Sequence, residues 1–132
     1  MLPEYACAII SDAGGRLLMQ LRPSTARHAA GQLTCFGGRR EADEDDLQCL
    51  RRELGEELAW TPPALTPVCE LWQGKRFIAH FFRAPWDGGS LTLEAGDAAV
   101  WAPPSALPGL PVSPWHAAVL AAVAAGQQQV RL

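Results

Sequence analysis

The chain has no basic run, no C-x-x-C pair, no internal repeat and no apolar stretch long enough to cross a bilayer. Without a basic run, binding to a nucleic-acid polymer is not expected. The apolar C-terminal stretch is interrupted by His116 and falls short of the roughly 20 residues that a spanning helix needs, so no membrane partner is expected. The N-terminus lacks the basic start and long apolar core of a signal peptide. A cytoplasmic location follows as the expectation, with Cys7, Cys35, Cys49 and Cys69 as reduced thiols rather than disulfides. No linker composition divides the 132 residues, which suit one domain over 1–132. Hydrophobic residues make up 48% of the chain, enough to build a core and to exclude disorder. The net charge is −3, and much of the acid is concentrated in one stretch.

That stretch is 38–60, GRREADEDDLQCLRRELGEELAW. It reads as a short loop followed by a helix. With 3.6 residues per turn, Glu53, Glu56 and Glu57 share a face, so their carboxylates are expected to converge. Leu47, Leu50, Leu54 and Leu58 fall on a neighbouring face, at the spacing of a helix docked on a core. Like charges this close repel by a few tenths of a kcal/mol per pair. Arg51 and Arg52 offset part of that, and a hard divalent cation shared with substrate phosphates would offset more. Taken alone, E-x-x-E-E is equally the solvated face of a surface helix. Gly37 and Gly38 permit a tight turn and a close approach of backbone to ligand.

The wider spacing resembles the Nudix box. Gly38 is followed after five residues by Glu44, and seven more lead to Arg52-Glu53-Leu54-Gly55-Glu56-Glu57-Leu58. Ala59 stands where the family has glycine, Trp60 where an aliphatic residue is usual, and Phe36 where proline often precedes the glycine pair. At a helix C-terminus a left-handed Ala59 would cost about 1 kcal/mol. The resemblance implies an α/β fold, the Nudix α/β/α sandwich with a mixed β-sheet. It implies a catalytic set of Arg52, Glu53, Glu56 and Glu57, and Mg²⁺ or Mn²⁺ held by those three glutamates and the Gly38 carbonyl. Gly37 and Glu44 are implied as supporting residues, Glu44 paired with Arg52. Another carboxylate, Glu94 or Asp97, is implied as a possible ligand or base. Dimers are common in the family, and a homodimer is expected.

Around the box, 4–12 and 16–22 read as a hairpin, and 23–33 as a loop carrying Arg27 and His28. Arg22 and Arg27 are candidate phosphate ligands, because guanidinium matches phosphate oxygens bidentately; solvated loop cations are the alternative. The spacing Arg22, Arg27, Gly31, Gly37-Gly38 also resembles the signature of coenzyme A pyrophosphatases, from which Gln20, Cys35 and Phe36 depart. Thr34 to Phe36 reads as a short strand. Cys49 lies one turn before Glu53, as a small packing residue or a thiol near the site. Residues 66–73 and 76–84 read as strands about Gly74, with His80 half-buried and Trp72 either in the core or stacking on a base. A short strand is expected at 90–94, a final one at 98–101, and a short helix at 103–107. The terminal helix, 114–126, has Ser113 as N-cap and Gly126 as C-cap.

The implied reaction is metal-dependent hydrolysis of a nucleoside diphosphate linked to a moiety X, such as ADP-ribose or a sugar nucleotide. One alternative is a pyrophosphatase clearing damaged nucleoside triphosphates. Another is a non-catalytic Nudix-like module that binds nucleotides, although such modules usually lose box glutamates and this chain keeps all of them.

Overall fold

A computed structural model describes residues 1–132. The elements run β1 (Tyr5–Ser11), β2 (Leu17–Leu21), β3 (Leu33–Thr34), β4 (Phe36–Arg39), α1 (Asp46–Leu58), β5 (Thr66–Gln73), β6 (Arg76–Pro85), β7 (Ala98–Ala102), a 3₁₀ turn (Pro104–Gly109), α2 (Pro114–Ala124) and β8 (Gln129–Arg131). All eight strands join one mixed sheet. Its main path is β3-β2-β1-β6-β5-β8; β4 adds to β1, and β7 to β2. β1 runs parallel to β6 and antiparallel to β4. Period-two alternation along β1 sends Ala6, Ala8 and Ile10 to the face covered by α1, and Cys7 and Ile9 to the face covered by α2. The result is the expected α/β/α sandwich. No helix is long and apolar enough to cross a membrane, and all four cysteines carry free thiols.

Helix α1 forms where the sequence supplies both a start signal and a buried stripe. Asp45 is the N-cap: its side chain accepts from the Gln48 N–H while Gln48 reaches back to the Asp45 N–H, a capping box. Cys49, Leu50, Leu54 and Leu58 are buried, and each leucine contributes about 1.5–3 kcal/mol. Leu47 is 37% exposed; it belongs to the first turn, ahead of the stripe. The helix ends at Ala59 in the left-handed conformation, φ 50° and ψ 37°, with its N–H on the Gly55 carbonyl and the Trp60 N–H on the Leu54 carbonyl. The family's glycine position therefore keeps its backbone shape with alanine in it.

Four local expectations are corrected. Gly37 and Gly38 do not form a tight turn; they lie in β4, opposite Cys7 and Ala6. Residues 90–94 form no strand, because the Thr92 N–H bonds the Leu58 carbonyl at the end of α1 instead of a neighbouring strand. Ser113 holds the N-cap position of α2 without a side-chain capping bond, and Ala125 rather than Gly126 is the C-cap. Strand β8, absent from the sequence reading, pairs in parallel with β5.

Candidate active site

Two glycines bring α1 against the sheet. Gly37 sits at φ 147°, and a Cβ there would strike the Ala6 carbonyl and come within 2.7 Å of Cys7 Cα. At Gly38 a Cβ would overlap the Glu53 carboxyl group. Glycine at both positions thus lets β4 close on β1 and lets a carboxylate lie directly over the backbone. Glu57 Oε1 accepts from the Gly37 N–H at 3.1 Å. The Cys49 thiol, fully buried, donates to the Gly38 carbonyl at 3.5 Å.

Arg52 organises the remaining acids. Its Nε and Nη2 bind Glu44 at 2.7 and 2.9 Å, a bidentate pair, and Nη1 reaches Glu53 at 3.0 Å and Glu56 at 3.4 Å. The same guanidinium holds Glu44 down to about 2, so Glu44 stays ionised and the pair stays closed. His80 pairs with Asp46 at 2.8 Å, tying β6 to the start of α1. Trp72 stacks on Phe77 at 4.6 Å and lies under the Arg131 guanidinium, so it is a packing residue.

No cation is bonded to Glu57, and the Arg22 charge acts on it only from a distance. Burial, then the neighbouring Glu53 carboxylate, push its carboxyl up to about 8. Burial also raises Glu53, against the pull of Arg52. The three box glutamates are not gathered into one ready ligand cluster. Glu53 and Glu57 turn toward the glycine strand, whereas Glu56 is 57% exposed and lies along Arg52. The donor set fits a hard cation: two oxygen ligands with raised pKa values, a carbonyl beside them, and a cradle at Gly38 that any side chain would fill.

Gly37 and Gly38, against which Glu57 and Glu53 lie, line a cavity of about 470 Å³. Arg22, Arg39, Leu71, Ile78, Phe81, Trp115 and His116 line it as well. Arg22 is held at the neck of its loop by bonds to Gln32 and Gly31, with Nε 3.4 Å from the His28 carbonyl. Arg27 is exposed and does not line the cavity, and neither do Glu94 and Asp97, both exposed before β7. Arg39, Gln20 and His116 do line it and were not named as site residues from the sequence. Arg39 carried a signal, adjacency to the glycine pair. Gln20 and His116 carried none, since each meets the site only through sheet pairing and the docking of α2.

The family model for the NUDIX domain matches residues 1–123. The chain belongs to the Nudix family. Nudix hydrolases act on pyrophosphate bonds and generally use a divalent metal, and this chain is such a hydrolase. No curated protein matches it in sequence. Among solved structures it is similar to the ORF135 protein of E. coli, at 30% identity over 94% of this chain and 89% of that one, TM-score 0.74. The MutT NUDIX hydrolase of Burkholderia pseudomallei shares its fold at 23% identity, over 92% and 98% of the two chains, TM-score 0.74. So does the NUDIX domain of Shewanella oneidensis NrtR, complexed with ADP ribose, at 18% identity over 89% and 82%, TM-score 0.69.

Proposed function

We propose that this Nudix hydrolase is a divalent-metal-dependent pyrophosphohydrolase that cleaves a nucleoside diphosphate joined to a moiety X, such as ADP-ribose or a sugar nucleotide. The observation that carries the reading is the Glu53–Glu57 pair. Burial raises both carboxyls, Glu53 even against its bond to Arg52; both turn toward Gly37 and Gly38, and those glycines line a cavity that also holds Arg22 and Arg39. Glu53, Glu57 and the Gly38 carbonyl would hold Mg²⁺ or Mn²⁺, with Glu56 joining from the exposed side. A bound divalent ion supplies neutralisation of the phosphates and a water of lowered pKa.

The chain's own residues do the rest. Arg22 and Arg39 bind the phosphate chain and fix its direction in the cavity. Arg39 engages only the neutral Tyr5 hydroxyl, at 3.1 Å, and the Tyr5 ring, so its charge is free for an anion. Arg52 is a positioning residue: it locks Glu44, Glu53 and Glu56 along one side of α1. Glu53, whose carboxyl lies over Gly38, takes the proton of the attacking water, whereas Glu94 and Asp97 are exposed ahead of β7. The products are a nucleotide and phosphorylated X.

The test is a hydrolysis screen at slightly alkaline pH with Mg²⁺ and with Mn²⁺. Its panel holds ADP-ribose, sugar nucleotides, dinucleoside polyphosphates, coenzyme A, and normal and oxidised nucleoside triphosphates. A metal-dependent hit that vanishes in folded Glu57→Gln supports the reading; full rate in that variant overturns the metal assignment. A nucleoside triphosphate, in which X is a phosphate, satisfies the same charges, and release of pyrophosphate identifies it. A flat panel with nucleotide binding intact would leave the non-catalytic module.

A further inference from the structure

The cavity wall also holds a polar group that the hydrolytic reading does not use. The backbone N–H of Cys35 donates to His116 Nδ1 at 3.1 Å. A nitrogen that accepts must carry a lone pair, so the imidazole is neutral and its proton sits on Nε2. Nε2 makes no hydrogen bond within the chain. Yet no sealed side-chain nitrogen or oxygen in the protein lacks a partner. Nε2 is therefore not sealed, and His116 lines the cavity. The ring is fixed in orientation by an edge-on contact with Phe81, centroids 5.4 Å apart and planes at 76°. Burial, with the Arg22 charge behind it, holds the imidazole down to about 4, consistent with the neutral form that the hydrogen bond demands.

The start of α2 is what aims this donor. The segment before it is stitched to β3: the Leu33 N–H bonds the Pro111 carbonyl, and the Ser113 N–H bonds the Leu33 carbonyl. Cys35 follows β3 directly, so the strand that positions the ring's partner also positions the helix that carries the ring. The cavity that His116 lines has apolar wall from Leu71, Ile78 and Phe81. An apolar recess with one fixed N–H donor suits a flat heteroaromatic ring that offers an acceptor on its edge.

Resting on the nucleotide reading above, we infer that His116 is a specificity-determining residue. Its Nε2–H donates to a carbonyl oxygen or an unprotonated ring nitrogen on the edge of the nucleobase, while the phosphates lie toward Arg22, Arg39 and the carboxylates. A base that turns an amino group to this position leaves two donors facing each other in an apolar wall, and is rejected.

The experiment needs no turnover. The intact protein, with ¹⁵N-labelled histidine, is titrated with AMP, GMP, CMP and UMP, and separately with inorganic pyrophosphate. Expected are an Nε2–H tautomer for His116, a shift of its Nε2 resonance on binding, and a preference of about tenfold or more for one base. In His116→Phe that preference should collapse to within about threefold while pyrophosphate affinity is unchanged; His116→Gln, which keeps a donor, should retain part of it. Should His116→Phe not fold, His116→Gln and the wild-type resonance decide. The inference is overturned if no monophosphate moves the Nε2 signal, if the wild type binds all four bases alike, or if the folded variant keeps the full preference. Each of those outcomes is separable from the hydrolytic reading, which stands or falls on metal-dependent turnover and Glu57→Gln.

Discussion

The site buries two titratable side chains, Glu57 against the glycine strand and His116 on the cavity wall, and burial keeps both neutral, but for opposite purposes. Against the glycine strand, Glu57 has one backbone donor and a negative neighbour, so its carboxyl is raised to about 8. Its neutrality is provisional, and any cation that arrives would reverse it. On α2, His116 is depressed to about 4, and a backbone N–H already occupies the lone pair that a proton would take. Its neutrality is built in. A buried group whose hydrogen bonds favour the uncharged form is finished structure; one whose surroundings leave it short of charge is waiting for a ligand.

The two groups separate most sharply when one of them is removed. Glu57→Gln should lower turnover by about 10³-fold while leaving nucleoside monophosphate affinity near wild type, read by steady-state rates and calorimetry. Equal losses of both would make the two groups one functional unit. Next in size is Gly37→Ala, where the new Cβ meets backbone rather than a movable side chain. A loss of about 3 kcal/mol or more is expected in denaturant unfolding, if the variant folds at all; a change under about 1 kcal/mol would mean that β4 can shift.

Stability against pH sharpens the contrast without any mutation. Folded Glu57 keeps its proton to about 8 against 4.5 unfolded, so the native state binds more protons in that window and stability falls as pH rises. Glu53, also raised, acts in the same sense. Folded His116 releases its proton near 4 against 6.5 unfolded, so there the unfolded state binds more and stability climbs with pH. The two oppose each other below pH 6.5, and above it Glu57 acts without opposition from His116. Glu44, held near 2, contributes its full share throughout that upper window. The metal-free protein should therefore lose melting temperature between pH 6.5 and 8, and Glu57→Gln should flatten the slope. A wild-type slope of the opposite sign would sink the charge assignment. The smallest effect lies outside the cavity: Ala59→Gly should add about 1 kcal/mol by relieving the left-handed alanine, with both binding and turnover unchanged.

Much of the carboxylate face was legible in the order of residues, because its chemistry is local. Arg52, Glu53, Glu56 and Glu57 lie within two turns of one helix, and helical periodicity alone puts them side by side. The Glu44–Arg52 pair spans a short loop and was readable from the same motif. What the motif could not show is that Arg52 bonds Glu53 and Glu56 but not Glu57, while Glu53 and Glu57 face the strand, since that depends on how deeply the helix docks on Gly37 and Gly38. Arg27 illustrates the opposite failure. It has the right chemistry in the right loop, but the bonds at the loop's neck turn Arg22 inward and leave Arg27 in solvent.

The sequence by itself determined the helix, most of its leucine stripe, the strands on either side and the family, because each rests on spacing along a few turns or a few pleats. Only the tertiary structure decided which polar groups meet across the sheet. Gln20, Arg39 and His116 come to the cavity through strand register and the seat of α2, and β8 exists only because β5 offers an edge to pair with. Contacts between residues as far apart as Cys35 and His116 are set by packing, and no local pattern encodes them.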